Sequence, residues 1–247
     1  MVTSDTSRSY ARRLAAEAVG TSMLLAAVVG SGIMGDQLSG GNVAIALLAN
    51  TVATGAALVA LILTFGPISG AHFNPAVSFA DASQGGLSWR GAWLYTVAQI
   101  LGALVGVAIA DAMFGEPIYS WSRHVRTGFP QALSEVVATF GLLSVIWGCA
   151  RNRPTAVPFA VGAYITAAYW FTASTSFANP AVTIARSLTD TFAGIRPIDV
   201  PAFLASQALG ASAATVLFRW LVPALPTVAE HVLVPHETDR VNVRQRR

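Results

Sequence analysis

The sequence predicts an all-α membrane protein in which six transmembrane helices and two shorter re-entrant half-helices form an inverted internal repeat. Three observations lead to this fold class. The 247 residues are 54% hydrophobic and only 11% charged, whereas a soluble domain has about a quarter charged residues. Six apolar stretches are long enough to cross a bilayer, which takes roughly 20 residues. The tripeptide Asn-Pro-Ala occurs twice, at corresponding places in the two halves of the chain.

The six apolar stretches predict the transmembrane spans. They are expected at about 13–34, 43–66, 90–114, 130–150, 156–176 and 198–222. The whole chain, 1–247, then forms a single domain. Its first repeat covers about 10–114, its second about 130–222, and a cytoplasmic tail about 223–247. The first stretch is long and is followed by others of the same kind, which does not indicate a cleavable signal peptide.

Two shorter apolar segments, "NPAVSFADA" and "NPAVTIARS", follow the second and the fifth span. Segments of this length are typical of re-entrant structure because they are too short to cross the bilayer. Asn is among the best N-cap residues, and Pro is favoured at the first helical position. We therefore expect half-helices to begin at two sets of residues, which are Asn74, Pro75 and Ala76, and Asn179, Pro180 and Ala181.

Polar landmarks indicate that the two halves arose by duplication. Three pairs recur in the same order: Glu17 and Glu135, Asn74 and Asn179, and Gln99 and Gln207. Such recurrence is the mark of an internal repeat. Each repeat holds three spans, an odd number, so the second repeat must be inverted relative to the first. Inverted repeats place functional sites near the middle of the membrane, where broken helices meet.

Two helix starts that meet in the membrane predict a pore. A helix start exposes unpaired N–H groups and about half a positive charge, and a bilayer tolerates it only inside protein or beside a watery cavity. If the side-chain oxygens of Asn74 and Asn179 cap their own helices, we expect both amide N–H₂ groups to be free to donate into that cavity. The site accepts a water or hydroxyl oxygen and repels a cation.

The arginines predict the orientation, and the remaining composition excludes several function classes. Eleven of the 15 basic residues, all arginine, fall on one side if both termini are cytoplasmic, as the positive-inside rule expects. We therefore expect a multi-pass protein of the cell's inner (plasma) membrane.

These arginines lie in loops and tails, which does not indicate nucleic-acid binding. The single cysteine excludes an internal disulfide. We expect no cofactor, metal site or enzymatic activity, because the four His are scattered and no nucleophile–base pair is evident.

The segment "SGAHFNPAVSFA" resembles the first signature of the aquaporin (major intrinsic protein) family, and "NPAV" at 179–182 resembles a variant of the second. The resemblance extends over essentially the whole chain. It implies a passive channel in the lipid bilayer for water or small neutral solutes, assembled as a homotetramer with one pore per subunit. It also implies that Glu17 and Glu135 accept hydrogen bonds from the re-entrant loops and that His72 braces the first loop.

The chain departs from the family at the selectivity filter. Family members carry Arg three residues after the second Asn, where this sequence has Val182. Counting without gaps from each Asn places Thr54, Ala167 and Ser176 at the other three filter positions. These four residues include no large ring and no charge, which predicts a wide filter that admits glycerol, urea or neutral metalloid hydroxides such as arsenous acid. Bacterial relatives with the same Val are associated with arsenic resistance, so the chain resembles an aquaglyceroporin-like branch.

Two features leave a narrower filter open as an alternative. A shift of one residue in the loop before the second Asn would bring Ala168 and Phe177 into the filter. Arg186 lies one helical turn after Val182 and leans back toward the pore, where it is a candidate residue of the outer vestibule. Either change would favour a water-selective channel.

Two further interpretations concern the aromatic pair at 169 and 170 and a transporter as an alternative function. Tyr169 and Trp170 are typical of an interfacial belt or of helix packing. A coupled transporter is the other functional alternative, because transporters also contain inverted repeats with broken helices. Coupling requires protonatable or ion-binding groups at the centre, where this sequence offers neutral asparagines.

Overall fold

The computed structural model describes residues 3–222, except for the side chains of 3–9, 151 and 152, and this part of the chain is all-α, as predicted. It contains eight α-helices and, among the described residues, no strand: α1 Thr3–Leu38, α2 Val43–Ser69, α3 Pro75–Gln84, α4 Trp89–Phe114, α5 Phe129–Asn152, α6 Val157–Phe171, α7 Pro180–Arg186 and α8 Val200–Leu221. Short 3₁₀ turns at Pro154–Ala156 and Pro197–Asp199 precede α6 and α8. The tail predicted at 223–247 lies outside the described residues.

Five helices, α1, α2, α4, α5 and α8, are long and apolar enough to cross a membrane. Helix α6 has 15 residues and is about 22 Å long at 1.5 Å per residue. The predicted span at 156–176 was therefore wrong at its C-terminal end. The helix stops at Phe171 because Thr172 is extended, and Thr175 and Ser176 then adopt positive φ angles that a helix does not allow.

The two halves of the chain pack in the same pattern. In the first half α1 packs against α2 and α4, and in the second half α5 packs against α6 and α8. The halves meet where α2 packs against α6 and where the half-helices α3 and α7 touch each other. The duplicated landmarks of the sequence thus correspond to duplicated structure, and the two half-helices lie at the junction of the halves.

Close approach of the backbones holds α1 against α4. A Cβ atom built on Gly102 would lie 2.1 Å from the carbonyl oxygen of Ala18, and one on Gly106 would lie 2.2 Å from that of Ser22. Only glycine fits at such distances, and small residues that let helices approach closely are typical of membrane proteins. The same face of α1 carries Glu17, which contacts the loop before the first half-helix.

Gly102→Ala is therefore expected to destabilise the protein by about 1–3 kcal/mol, the usual cost of overpacking. The added methyl group would collide with backbone, which cannot move aside as a side chain can. Thermal unfolding in detergent measures the effect. Gly66→Ala in α2 is the matched control, because its Cβ would meet no atom within 4 Å. Equal unfolding temperatures for the two variants would contradict the close-packing interpretation.

Candidate functional site

Both half-helices begin at the predicted asparagines. The side-chain oxygen of Asn74 accepts a hydrogen bond from the backbone N–H of Ala76 at 2.9 Å. The oxygen of Asn179 accepts from Ala181 at 3.0 Å and from Val182 at 3.3 Å. Each Asn is in an extended conformation and is followed by Pro at the first helical position. These caps satisfy part of the donor set that a helix start leaves unpaired.

The two asparagines also fasten the loops to each other. The amide nitrogen of Asn74 donates to the carbonyl oxygen of Ala178 at 2.8 Å, and that of Asn179 donates to the carbonyl oxygen of Phe73 at 2.7 Å. The expectation that both amide groups are wholly free was thus incorrect. An amide has two N–H groups, so one remains on each Asn, and both residues line the central cavity described below.

The loops before the half-helices have an unusual backbone conformation that recurs in both halves. Ala71 and Phe73, and correspondingly Ser176 and Ala178, have φ angles between 47° and 49°. Non-glycine residues in this region each cost on the order of 1–3 kcal/mol and persist only where the surroundings hold them. The surroundings here are two buried glutamates.

Glu17 and Glu135 hold these two loops by matching sets of hydrogen bonds. Glu17 accepts from the backbone N–H of His72 at 3.0 Å and from that of Phe73 at 2.7 Å. Glu135 accepts from the N–H of Phe177 and from that of Ala178, each at 2.9 Å. Both glutamate side chains are fully buried. A carboxylate is the appropriate group because it offers only acceptors, and the loops present only donors.

A glutamine side chain also donates a hydrogen bond to each of these glutamates. Gln99 donates to Glu17 at 2.8 Å and to Ser78 at 3.0 Å. Gln207 donates to Glu135 at 2.6 Å and to Thr183 at 2.8 Å. The sequence showed the two glutamines as repeat landmarks but gave them no role. Their position explains why they recur, since each joins a glutamate to the first turn of a half-helix.

His72 packs against the first half-helix. Its Nδ1 lies 3.0 Å from the hydroxyl of Ser78, and its Nε2 lies 3.9 Å from a carboxylate oxygen of the buried Asp81. The ring also forms part of the wall of the central cavity. No group of three His, Cys, Asp or Glu side chains suited to a metal ion occurs within the described part of the chain.

A narrow central cavity of about 80 Å³ runs past the two half-helix starts. Three of the four residues assigned to the filter by counting, Thr54, Ser176 and Val182, line this cavity and are 3–5% exposed. The fourth, Ala167, does not line it.

Ala167 is exposed on the outside of α6, so its assignment to the filter was wrong. The wall of the cavity on α6 is formed by Val157, Val161, Ile165 and Tyr169, which recur every four residues and therefore share one face of the helix. Ala167 lies between two of these positions and points elsewhere. The gap-free count was wrong because the non-helical segment between Phe171 and the second Asn decides which residue of α6 faces the cavity.

Tyr169 takes the place that counting gave to Ala167. It is 3% exposed, and its hydroxyl lies 3.3 Å from that of Thr54. Its assignment to an interfacial belt or to general packing was therefore wrong, whereas Trp170 is 49% exposed and faces outward. The cavity wall thus contains a large ring that the counted filter lacked.

Arg186 and Phe177 also reach the cavity. Arg186 is 2% exposed, its Nε donates to the carbonyl oxygen of Ala193, and its guanidinium carbon lies 3.4 Å from the centre of the Phe177 ring. Of the described residues, Arg186 alone lines both the central cavity and a wider outer cavity of about 710 Å³. The expectation of a filter without charge was wrong, because the charge comes from one turn further along α7.

The outer cavity contains a second buried arginine that sequence reasoning missed. Arg126, in the segment between α4 and α5, is 8% exposed and donates to the carbonyl oxygens of Gly194 at 2.8 Å and Ser174 at 3.2 Å. Its backbone N–H donates to Asp199 at 2.9 Å. Burial lowers the pKa of Arg126 to about 10, so the guanidinium remains charged at neutral pH.

The wider rim of the outer cavity carries a conventional ion pair. Arg123, which is largely exposed, donates to the carboxylate of Asp190 at 2.7 Å. The backbone N–H of Arg123 donates to the same carboxylate, and these hydrogen bonds lower the pKa of Asp190. A depressed pKa keeps this carboxylate ionised at neutral pH, and the pairing is lost only as the pH falls through that lowered pKa.

Comparison with known proteins agrees with this geometry. Residues 4–167 match the model of the Major intrinsic protein (MIP) family. The chain is 56% identical over 220 residues to aquaglyceroporin AqpS of Rhizobium meliloti (strain 1021), a match that covers 89% of this chain and 94% of that protein. It is 36% identical over 163 residues to probable aquaporin NIP7-1 of Arabidopsis thaliana, covering 63% and 57% respectively.

A solved structure shares the fold. The X-ray structure of the aquaglyceroporin from Plasmodium falciparum aligns with a TM-score of 0.69, covering 88% of this chain and 99% of that chain, at 22% sequence identity. The fold, the paired half-helices and the sequence similarity over most of the chain lead to one conclusion. The chain belongs to the major intrinsic protein family, whose members are membrane channels for water and small neutral solutes and not enzymes.

Proposed function

We propose that the protein is an aquaglyceroporin-type passive channel, through which water and neutral solutes of about the size of glycerol cross the membrane by way of the central cavity. The observation that carries the proposal is the mixed lining of that cavity, which contains both hydroxyl groups and apolar side chains. Hydroxyl groups of Thr54 and Tyr169 lie together, and the side chains of Val182 and Phe177 are apolar and line the same cavity.

Such a wall suits a small polyol. A solute that leaves water must replace its lost hydrogen bonds, or the desolvation penalty stops it. The hydroxyls, together with the remaining N–H groups of the two asparagines, supply donors and acceptors to a solute in the cavity. The buried hydroxyl of Ser176, which has no hydrogen-bond partner among the described residues, adds another. The carbon-bound hydrogens of the solute can contact the apolar side chains.

A water-selective channel is the alternative, and specific contacts favour it. Arg186 stacks on Phe177 at the junction of the two cavities, and the ring of Tyr169 occupies a place where counting had put a methyl group. Selectivity among neutral solutes depends on pore diameter and on the lining groups. The two candidates therefore differ only in whether a glycerol molecule fits past these three side chains.

Stopped-flow light scattering on proteoliposomes separates these candidates. Vesicles are mixed into an inward glycerol gradient, and protein-free vesicles serve as the control. Shrinkage followed by re-swelling well above the control rate is the expected result. Rapid shrinkage without re-swelling would support the water-selective channel, and the absence of both would contradict a channel for either solute. An imposed proton gradient should leave glycerol flux unchanged, which tests the coupled-transporter alternative.

Neutral metalloid hydroxides are a second class of solute under the same proposal. Arsenous acid presents hydroxyl groups on a small neutral centre, so the donors and acceptors that serve glycerol serve it equally. The same vesicles loaded with a dithiol-bearing indicator, whose thiol groups bind arsenous acid with release of water, measure its entry. Entry of glycerol without entry of arsenous acid would limit the proposal to polyols.

The setting of the channel in the cell is also part of the proposal. We infer a homotetramer with one pore per subunit, in the inner (plasma) membrane, with both termini in the cytoplasm. Family membership supports the assembly, and the distribution of arginines supports the orientation. Native mass spectrometry of the purified protein measures the oligomeric state, and labelling of a cysteine added at either terminus in intact cells tests the orientation.

A further inference from the structure

We propose that Arg126 acts together with Arg186 as the cation barrier of the channel, in place of the arginine that family members carry at the position of Val182. This inference rests on the proposed channel function and adds two specificity-determining residues to it. The two arginines come from different parts of the chain and meet at the outer end of the central cavity.

The first observation is where the two guanidinium groups lie. Their central carbon atoms are 3.4 Å (Arg186) and 4.9 Å (Arg126) from the centre of the same aromatic ring, that of Phe177. That ring lines the central cavity, and both arginines line the outer cavity. A solute that passes between the two cavities therefore passes two positive charges next to one side chain.

The second observation is that neither guanidinium group forms a salt bridge. Within the described part of the chain, no carboxylate oxygen lies within 4 Å of the side-chain nitrogens of Arg126 or Arg186. The guanidinium groups donate instead to carbonyl oxygens, those of Gly194 and Ser174 for Arg126 and that of Ala193 for Arg186. These bonds and the π-face of Phe177 hold the cations in place without cancelling their charge.

The carboxylates near these two charges do not pair with them. Asp190 is paired with the third arginine of the outer cavity, Arg123, and Asp199 accepts from Arg196 and from the backbone of Arg126. Asp36 and Glu116 lie elsewhere on the cavity wall. Glu135 accepts hydrogen bonds from the backbone of Phe177 and Ala178 and attracts both guanidinium groups, but it forms a salt bridge with neither. The two arginines therefore lie unpaired at the constriction.

Burial makes these charges effective against cations. Arg186 and Arg126 are 2% and 8% exposed, and charges in such surroundings are screened far less by water and salt than surface charges are. Val182, by contrast, offers no charge at the position that the family uses. The two half-helix starts further in add a weaker positive potential, so removal of the arginines should weaken the barrier without abolishing it.

The test compares ion leak with glycerol flux in the same proteoliposomes. Proton entry is followed with a trapped pH-sensitive dye under an imposed potential, and glycerol permeability by light scattering. We expect Arg126→Gln to raise the ratio of proton leak to glycerol permeability on the order of ten-fold, and the Arg126→Gln/Arg186→Gln double variant to raise it further. Arg126→Lys, which keeps the charge, should stay close to the wild type.

Two further variants control the experiment. Arg123→Gln/Asp190→Asn removes an arginine charge from the same segment together with its paired carboxylate, so no unpaired charge is left at the rim and the ratio should not change. Thr175→Glu leaves both arginines present and adds a carboxylate at a residue whose hydroxyl lies 3.4 Å from the Arg126 guanidinium. It should raise the leak, and it keeps the proposal testable if the arginine variants fail to fold.

The outcomes separate this inference from the proposed function. A raised ratio in Arg126→Gln or Thr175→Glu, with Arg123→Gln/Asp190→Asn unchanged, supports the two-arginine barrier. An unchanged ratio in the double variant or in Thr175→Glu, with glycerol flux still present, would overturn it and leave the channel function intact. Absence of glycerol flux in the wild type would instead refute the glycerol channel.

Discussion

Glu135→Gln is expected to abolish solute permeation and to destabilise the protein by about 2 kcal/mol or more. The carboxylate accepts hydrogen bonds from the backbone N–H groups of Phe177 and Ala178 and from the side chain of Gln207. A glutamine at 135 must turn its own N–H₂ toward one of these donors. The loop before the second half-helix, with its positive φ angles at Ser176 and Ala178, then loses the group that holds it.

Thermal unfolding and glycerol flux in proteoliposomes measure this effect together. Glu17→Gln should behave in the same way, because the two glutamates occupy equivalent places in the repeat. Asp36→Asn, which removes an exposed carboxylate from the outer cavity, is the control and should change neither property. A Glu135→Gln protein with normal flux and normal stability would refute the bracing role of the glutamates.

Val161→Trp is expected to block water and glycerol alike, down to the permeability of protein-free vesicles. Val161 is 6% exposed and lies on the face of α6 that forms the wall of the central cavity. That cavity measures only about 80 Å³, and an indole group added to its wall fills much of the passage.

Ala163→Trp is the matched control for this prediction. It lies two residues further along the same helix, with its side chain exposed on the outside, so the same large residue there should leave permeation intact. Both variants must elute from size-exclusion chromatography as the wild type does before flux is compared. Loss of flux at 163 with normal flux at 161 would show that the solute path lies outside the central cavity.

The helices and the duplicated framework were predicted well from the sequence because they depend mainly on residues that are close together along the chain. Hydrophobic runs set the helices, and Asn followed by Pro sets the helix starts at Asn74 and Asn179 almost without reference to the rest of the chain. Glu17 and Glu135 were found because duplication displays each functional position twice. Such signals either lie within a few neighbouring residues or recur in the same order in both halves of the chain. They can therefore be recognised in a single sequence.

The filter was predicted less well because it depends on contacts between distant segments. Tyr169 faces the cavity instead of Ala167 because the non-helical residues after Phe171 fix the phase of α6, and loop geometry of this kind has no counterpart in a gap-free count. Arg126 is separated by about 50 to 70 residues in sequence from the groups that hold it, Ser174, Gly194 and Asp199. No pattern around Arg126 distinguishes it from an ordinary exposed arginine such as Arg123.

The observed wall of the cavity differs from a filter of four small side chains, which would admit solutes by width alone. The structure instead places the hydroxyls of Thr54 and Tyr169 in the cavity wall and the charge of Arg186 at its junction with the outer cavity. Neutral solutes can exchange hydrogen bonds with such a wall, whereas a cation meets uncompensated positive charge before it reaches the half-helix starts.

Block of glycerol flux by a thiol reagent at a single introduced cysteine shows whether solutes cross the protein through the central cavity. The chain has one native cysteine, Cys149, so Cys149→Ser gives a background without thiols, into which Thr54→Cys and Ala167→Cys are introduced separately. We expect a small methanethiosulfonate reagent to stop flux through Thr54→Cys, reversibly on reduction, and to leave Ala167→Cys unaffected. Block at position 167 with none at position 54 would contradict it, because the solute would then follow a path that the central cavity does not contain.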